Sequence, residues 1–186
     1  MGMPALPEPV STIEELLALP EDGLRHELLD GEHVVTPAPS FSHQRAVGRF
    51  HESLSQLVRN RDDIELLLSP ADIVLGPRTL VQPDLFIAVK KSAKEVESWS
   101  DIGIPLIAIE ILSPTTAARD RNKKRRLYLE AGVEEYWIVD VDARVVERWR
   151  TSDERPEIVD GALSWSLECG ASGTIDLPTV FDQIHE

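Results

Sequence analysis

Pro83-Asp84-Leu-Phe-Ile-Ala-Val89, Leu106-Ile-Ala-Ile-Glu110-Ile-Leu112, Arg119-Asp-Arg-Asn-Lys-Lys-Arg-Arg-Leu-Tyr128 and Gly132-Val-Glu-Glu-Tyr-Trp-Ile-Val-Asp140 all lie between Gln82 and Asp140. The first two runs have the length and the Ile, Leu and Val content of buried strands, and Pro or Ser-Pro bounds them. Each nevertheless carries one carboxylate, Asp84 or Glu110. A buried carboxylate needs a cation, a hydrogen-bond partner or a metal, because leaving it unpaired costs several kcal/mol. The third run reads as a basic helix closed by Gly132, the residue expected after a helix C-terminus. The fourth reads as another strand.

Side chains alternate across a strand, so Glu110 shares a face with Ala108 and Leu112, while Ile107, Ile109 and Ile111 line the other. Asp84 likewise shares a face with Phe86 and Ala88. An antiparallel pairing of the two strands would bring Asp84, near the start of one, to Glu110, near the end of the other. Two carboxylates so placed repel each other unless a cation intervenes, and oxygen ligands suit Mg²⁺ or Mn²⁺ rather than zinc. Such ions promote phosphodiester hydrolysis. The competing reading is an acidic pair bridged by Arg125 or Arg126 in a purely structural domain.

The helix offers a lysine to that site. At about 100° per residue, Ala117, Asp120, Lys124, Leu127, Tyr128 and Ala131 fall within an arc of roughly 80° that must face the sheet. Lys124 lies within the arc and Lys123 about 100° away from it, toward solvent. Lys124 either pairs with Asp120 one turn earlier or reaches past Leu112 to the carboxylates.

The rest of the chain reads as supporting structure. Ser11-Thr-Ile-Glu14 fits a capping box for a helix running to Leu19, before Pro20. Asp30-Gly31 between two apolar-bearing runs is a hairpin signal, with Glu27 on the first strand; from position alone Glu27 reads as solvent-facing. Pro37-Ala-Pro39 is a linker, and His43 to Asn60 is predicted helical, with His43 serving only its cap. Ile64–Leu68, Ala71–Leu75 and Val145–Trp149 read as strands. Lys90 to Ile104 is polar and irregular, and the chain after Trp149 reads as short strands and turns. Together these predict one domain over residues 1–186, a mixed α/β (α+β) sheet flanked by helices, with an extra N-terminal hairpin and C-terminal strands.

Composition limits the function. The chain has 186 residues and a net charge of -14, with 42% hydrophobic and 28% charged residues. No apolar run reaches the roughly 18 residues of a membrane span, and Met1 to Pro9 lacks a secretory pattern. A lone Cys169 excludes an internal disulfide and a cysteine-based zinc site, and fits the reducing conditions of a cytoplasmic protein. The acidic balance argues against nucleic acid, but six of the 19 basic residues fall between Arg119 and Arg126. Arg121, Lys123 and Arg125 are therefore candidate phosphate contacts, against the plain alternative of a solvated helix face.

Pro83-Asp84, Glu110-Ile-Leu112-Ser-Pro, Asp120 with Lys124 and Tyr128, and Gly132 to Asp140 together resemble the Uma2 family of restriction-endonuclease-like proteins, as do Glu27-Leu-Leu-Asp-Gly-Glu32 and His43. The resemblance spans about Arg25 to Arg150. It implies a PD-(D/E)XK nuclease core acting on DNA, with Asp84 and Glu110 as metal ligands, the Ile111 carbonyl as a third ligand, and Glu27 as a helper carboxylate. It also implies a homodimer. One departure stands out: the parent signature places a lysine two residues after the glutamate, where this chain has Leu112. Lys124 from the following helix is the implied replacement.

Overall fold

Ile107, Ile109 and Ile111 point to one side of a strand and Ala108 and Glu110 to the other, and that strand lies inside the main sheet. The structure, a computed structural model, describes residues 10–92 and 94–186. The reading of Met1 to Pro9 lies outside the described residues. The first half runs helix α1 (Ile13–Leu17), strands β1 (Arg25–Leu29) and β2 (Glu32–Thr36), helix α2 (Phe41–Val58), then strands β3 (Ile64–Leu68), β4 (Ile73–Gly76), β5 (Thr79–Val81) and β6 (Leu85–Val89). The second half begins with strand β7 (Ile107–Ile111) and helix segments α3 (Ala117–Arg119) and α4 (Arg125–Ala131), joined by a π turn (Asp120–Lys124). Strands β8 (Glu135–Asp140), β9 (Val145–Trp149), β10 (Glu157–Val159), β11 (Ala162–Ser166) and β12 (Ser172–Asp176) follow, and helix α5 (Leu177–His185) closes the chain.

The main sheet has the order β10-β9-β8-β7-β6-β3. Among the described strands only β7 and β8 pair in parallel, as a strand pair joined by a crossover helix must. One sheet face carries Leu85, Ile87, the three isoleucines of β7, Trp137 and Val139, packed against α2, α5 and the β11–β12 ribbon. Phe86, Ala88, Ala108, Tyr136 and Ile138 on the other face meet Leu127 and Tyr128 of the crossover helix. The second sheet, β2-β1-β5-β4, adds Leu29, Val34, Ile73 and Val81 to that side. Mixed strands between helical layers agree with the fold class expected from the sequence.

Local departures have local causes. The capping box uses Thr12 and Glu15 rather than Ser11 and Glu14, because Thr12 is the extended residue whose hydroxyl meets the Glu15 amide. Helix α1 then ends at Leu17, short of Leu19, whose place before Pro20 disfavours helical backbone. Helix α2 starts at Phe41, two residues early, because Ser40 caps it. The three residues of β5 are too few to show a period. The missed C-terminal helix α5 has Asp176 at its N-cap and Pro178 in its first turn. Asp30 and Gly31 both take positive φ, 53° and 80°, as the predicted tight hairpin turn requires. Among the described residues no helix is long and apolar enough to cross a membrane.

Candidate active site

Leu85 of β6 stands opposite Ile109 of antiparallel β7, so Asp84, one residue earlier, continues that register toward Glu110. The carboxylates meet at the C-terminal end of β7 as the alternation of side chains predicted. The Ile111 N–H donates to Asp84 Oδ2 at 2.8 Å, which ties the strand end to the aspartate. Glu27 joins them from β1 and is only 1% exposed, which corrects its solvent-facing reading. Burial is tolerated because the Gln82 N–H donates to Glu27 Oε1 at 2.8 Å and Lys124 Nζ lies 2.7 Å from the same oxygen.

Lys124 chooses the carboxylates over Asp120. Its ammonium donates to Glu110 Oε1 at 2.9 Å as well as to Glu27, while the Tyr128 hydroxyl donates to the same Glu110 oxygen at 2.9 Å. Among the described residues it forms no ion pair with Asp120, because the π turn spanning the two breaks the ordinary i,i+4 stacking. Thus a lysine from the helix, not from the strand, meets the carboxylates.

Asp84 is held by two residues whose contact with it the sequence reading did not foresee, although His43 belongs to the family pattern. Arg25 lies 2.8 Å from Oδ1 and His43 Nε2 lies 3.0 Å from Oδ2. Arg25 was recoverable, since it sits two residues before Glu27 on the same strand face. His43 was not, because nothing local shows that the first turn of α2 meets a strand end 41 residues later. The structural alternative also changes: Arg25 and Lys124, not Arg125 or Arg126, bridge the acids. Arg125 stacks 4.3 Å over Trp149, and Arg126 lies 4.0 Å from Asp30 and Glu130.

The cluster carries more negative charge than its cations balance. Glu27, Asp84, Glu110 and Asp120 are all buried, four carboxyl groups against the two cations of Arg25 and Lys124. Burial alone would raise the Asp84 carboxyl, but the His43 hydrogen bond and the Arg25 guanidinium hold it down at about 2. Burial opposes the Lys124 ammonium too, yet Glu110, Glu27 and Asp120 outweigh it and raise its pKa, so it stays charged. The excess falls on Glu110, which burial and the neighbouring Asp84, Asp120 and Glu27 push up to about 8 despite Lys124. Burial likewise raises Asp120.

Oxygen-only donors with surplus negative charge fit a divalent cation of the Mg²⁺ or Mn²⁺ kind. Among the described residues, however, no group of three His, Cys, Asp or Glu side chains is arranged to hold a metal ion. The acids open instead into a cleft of about 210 Å³, lined also by Ile111 and by the loops 36–40 and 113–116. Arg121, Lys123 and Arg125 lie outside this lining. Arg121 pairs with Asp140 and Glu147 at 2.9 and 2.6 Å, and Lys123 meets Glu32 at 2.5 Å.

Comparison with known proteins agrees with this architecture. A crystal structure titled as a putative nuclease belonging to DUF820, from Anabaena variabilis ATCC 29413, superposes with a TM-score of 0.79. The match covers 93% of this chain and 98% of that one at 21% identity, a likeness of fold. No curated protein matches the chain. The Uma2 family model, described as "Putative restriction endonuclease", matches residues 13–175. With that match covering most of its length and its fold shared with a solved neighbour, the chain belongs to the Uma2 family.

Proposed function

We propose that this nuclease-family protein hydrolyses phosphodiester bonds in DNA with Mg²⁺, or Mn²⁺, held by Asp84, Glu110 and the Ile111 carbonyl. The observation that carries the reading is the surplus of buried negative charge around one buried lysine at the mouth of a cleft. A bound divalent cation would lower the pKa of water and offset charge on the phosphate. The remaining work belongs to the chain. Arg25, His43 and the Ile111 N–H fix Asp84 in its ionised form. Glu27, fixed by the Gln82 N–H and Lys124, is oriented to position the attacking water and accept its proton. Lys124 keeps its charge and so presents a preorganised cation to the phosphate oxygens as charge develops on them. Arg121, Lys123 and Arg125 would reach phosphate only by releasing Asp140, Glu147, Glu32 and Trp149. The family resemblance adds a homodimer, for which sedimentation is the measurement.

One observation favours a second reading, a non-catalytic nuclease-fold protein that binds nucleic acid or a protein: Glu27, Asp84 and Glu110 each already have a cationic partner within the chain. A plasmid-nicking assay with Mg²⁺ and Mn²⁺, run beside Glu110→Ala and accompanied by a calorimetric metal titration, separates the two. Metal-dependent nicking that Glu110→Ala abolishes supports hydrolysis. Neither nicking nor metal binding in the parent protein would leave only the second reading.

A further inference from the structure

The run Gly132 to Asp140 gives the sheet its parallel strand, and one of its side chains reaches back to the crossover helix. Tyr136 of β8 is fully buried beside Tyr128, the two rings stacked with centroids 4.9 Å apart and planes 26° apart. Their hydroxyls serve different partners. That of Tyr128 donates to Glu110 Oε1 at 2.9 Å, and that of Tyr136 donates to the Asp120 backbone carbonyl at 3.2 Å. Asp120 opens the π turn, and its carbonyl also accepts the Arg125 N–H five residues on.

A π turn holds one residue more than a turn of α-helix, which tilts its carbonyls off the axis and leaves them open to outside donors. Side chains supply those donors here. Asn122 Nδ2 donates to the Ala118 carbonyl at 2.6 Å and Arg125 Nε to the Arg121 carbonyl at 3.1 Å, both from within the helix. Tyr136 is the donor of the three that belongs to the sheet, on the strand paired with the one that carries Glu110. The turn decides the aim of Lys124, its last residue. That lysine meets Glu27 and Glu110, while Asp120, likewise buried, forms no ion pair with it among the described residues. An unbroken α-helix would restore the i,i+4 relation of Asp120 and Lys124 and the pair that goes with it. Resting on the nuclease reading above, in which Lys124 presents its charge to the phosphate, we infer that Tyr136 is a positioning residue for that lysine. Its hydroxyl holds the π register of the crossover helix and so keeps Lys124 on the two glutamates rather than on Asp120.

The test is Tyr136→Phe, which keeps the buried ring and removes only the hydroxyl, made both alone and together with Lys124→Ala. Cleavage in Mg²⁺ should lose roughly tenfold to a hundredfold in kcat, the scale for a displaced catalytic group, with KM and the calorimetric Mg²⁺ affinity within about twofold of the parent. In the Lys124→Ala background the same substitution should change kcat less than about twofold, because the lysine it acts through is gone. Equal losses in the two backgrounds overturn the inference, since a hydroxyl that merely supports the core acts with or without the lysine. A second readout needs no cleavage. In protein carrying isotope-labelled lysine, the Lys124 ammonium resonance is assigned by its absence in Lys124→Ala and should shift in Tyr136→Phe as its carboxylate partners change. A parent protein that cleaves nothing while this resonance shifts sinks the hydrolase reading and leaves the inference standing. Cleavage and resonance both indifferent to Tyr136→Phe do the reverse. Should Tyr136→Phe melt too low to assay, Asn122→Ala withdraws an exposed donor from the same turn and should show the same loss of kcat with the same dependence on Lys124. Full activity in Asn122→Ala would then overturn the inference.

Discussion

Lys124 is 3% exposed and serves two carboxylates at once, so its loss has two consequences that must be read separately. Removing it strands Glu27 and Glu110, which should cost about 3–5 kcal/mol of stability. Removing its charge from the reacting phosphate should also lower cleavage by about a hundredfold or more, the usual scale for one preorganised donor. Lys123, half-exposed and paired only with Glu32, has neither duty. We expect Lys124→Ala, assayed where circular dichroism shows it folded, to lose at least about a hundredfold in cleavage rate and Lys123→Ala only a few-fold. Equal losses would put the catalytic cation elsewhere. Glu110 makes the second prediction at this scale. Its folded-state pKa, about 8, stands above its ordinary 4.5, so the folded protein holds the proton more tightly than the unfolded chain. That contribution to stability is complete below about pH 4.5 and is lost as the pH rises through 8. Asp84 works in the opposite direction: its contribution is present above 3.8 and lost as the pH falls toward 2. Metal-free protein should therefore melt at a falling temperature between pH 5 and pH 8, and Glu110→Gln should flatten that fall. A slope that survives in Glu110→Gln would assign the titration to another group.

The elements explain why these residues meet and how far that was readable. The pairing of β6 with β7 was legible, because a single carboxylate in each of two short alternating runs leaves few arrangements that partner both acids. The hairpin of β1 and β2 was legible from Asp30-Gly31, and the inward arc of the crossover helix from the period of its apolar residues. The inward turn of Glu27 was legible only through the family resemblance and not from its position, since it depends on β1 joining β5 and on the Gln82 amide, 55 residues away, meeting the carboxylate. The π turn was also hidden, because no single residue type marks it, although it places both Asp120 and Lys124 toward the cluster. The hairpin turn gives a test at this scale. Gly31 has φ +80°, and a Cβ there would fall 1.9 Å from the Arg78 guanidinium. The guanidinium is the far end of a flexible side chain and can move, so the backbone strain dominates. Gly31→Ala should cost about 1–2 kcal/mol, read as a melting temperature lower by several degrees. Should the melting temperature stay unchanged, the turn is not what holds the hairpin that carries Glu27.

At the scale of the whole molecule, the chain is acidic outside and over-acidic inside, and both excesses act on the folded state. Surface carboxylates repel one another across tens of ångströms, and any added salt screens that repulsion within a Debye length of about 8–10 Å at ordinary ionic strength. The buried surplus among Glu27, Asp84, Glu110 and Asp120 lies in a protein interior where salt screens poorly, so only an ion that enters the cleft relieves it. The two sources of strain can therefore be told apart by comparing Mg²⁺ with Na⁺ at matched ionic strength. A ligand that binds only the folded state stabilises it by an amount set by its concentration over its dissociation constant, about 2.7 kcal/mol at a hundredfold excess. For a chain of 186 residues this corresponds to a rise of roughly 5–10 °C in melting temperature. Saturating Mg²⁺ should produce that rise in the parent protein beyond any effect of matched NaCl. Asp84→Asn with Glu110→Gln should remove the Mg²⁺-specific part and keep the part that NaCl reproduces. The expectation fails if NaCl at equal ionic strength raises the melting temperature as far as Mg²⁺ does, because the stabilisation would then be surface screening and the cleft would hold no cation.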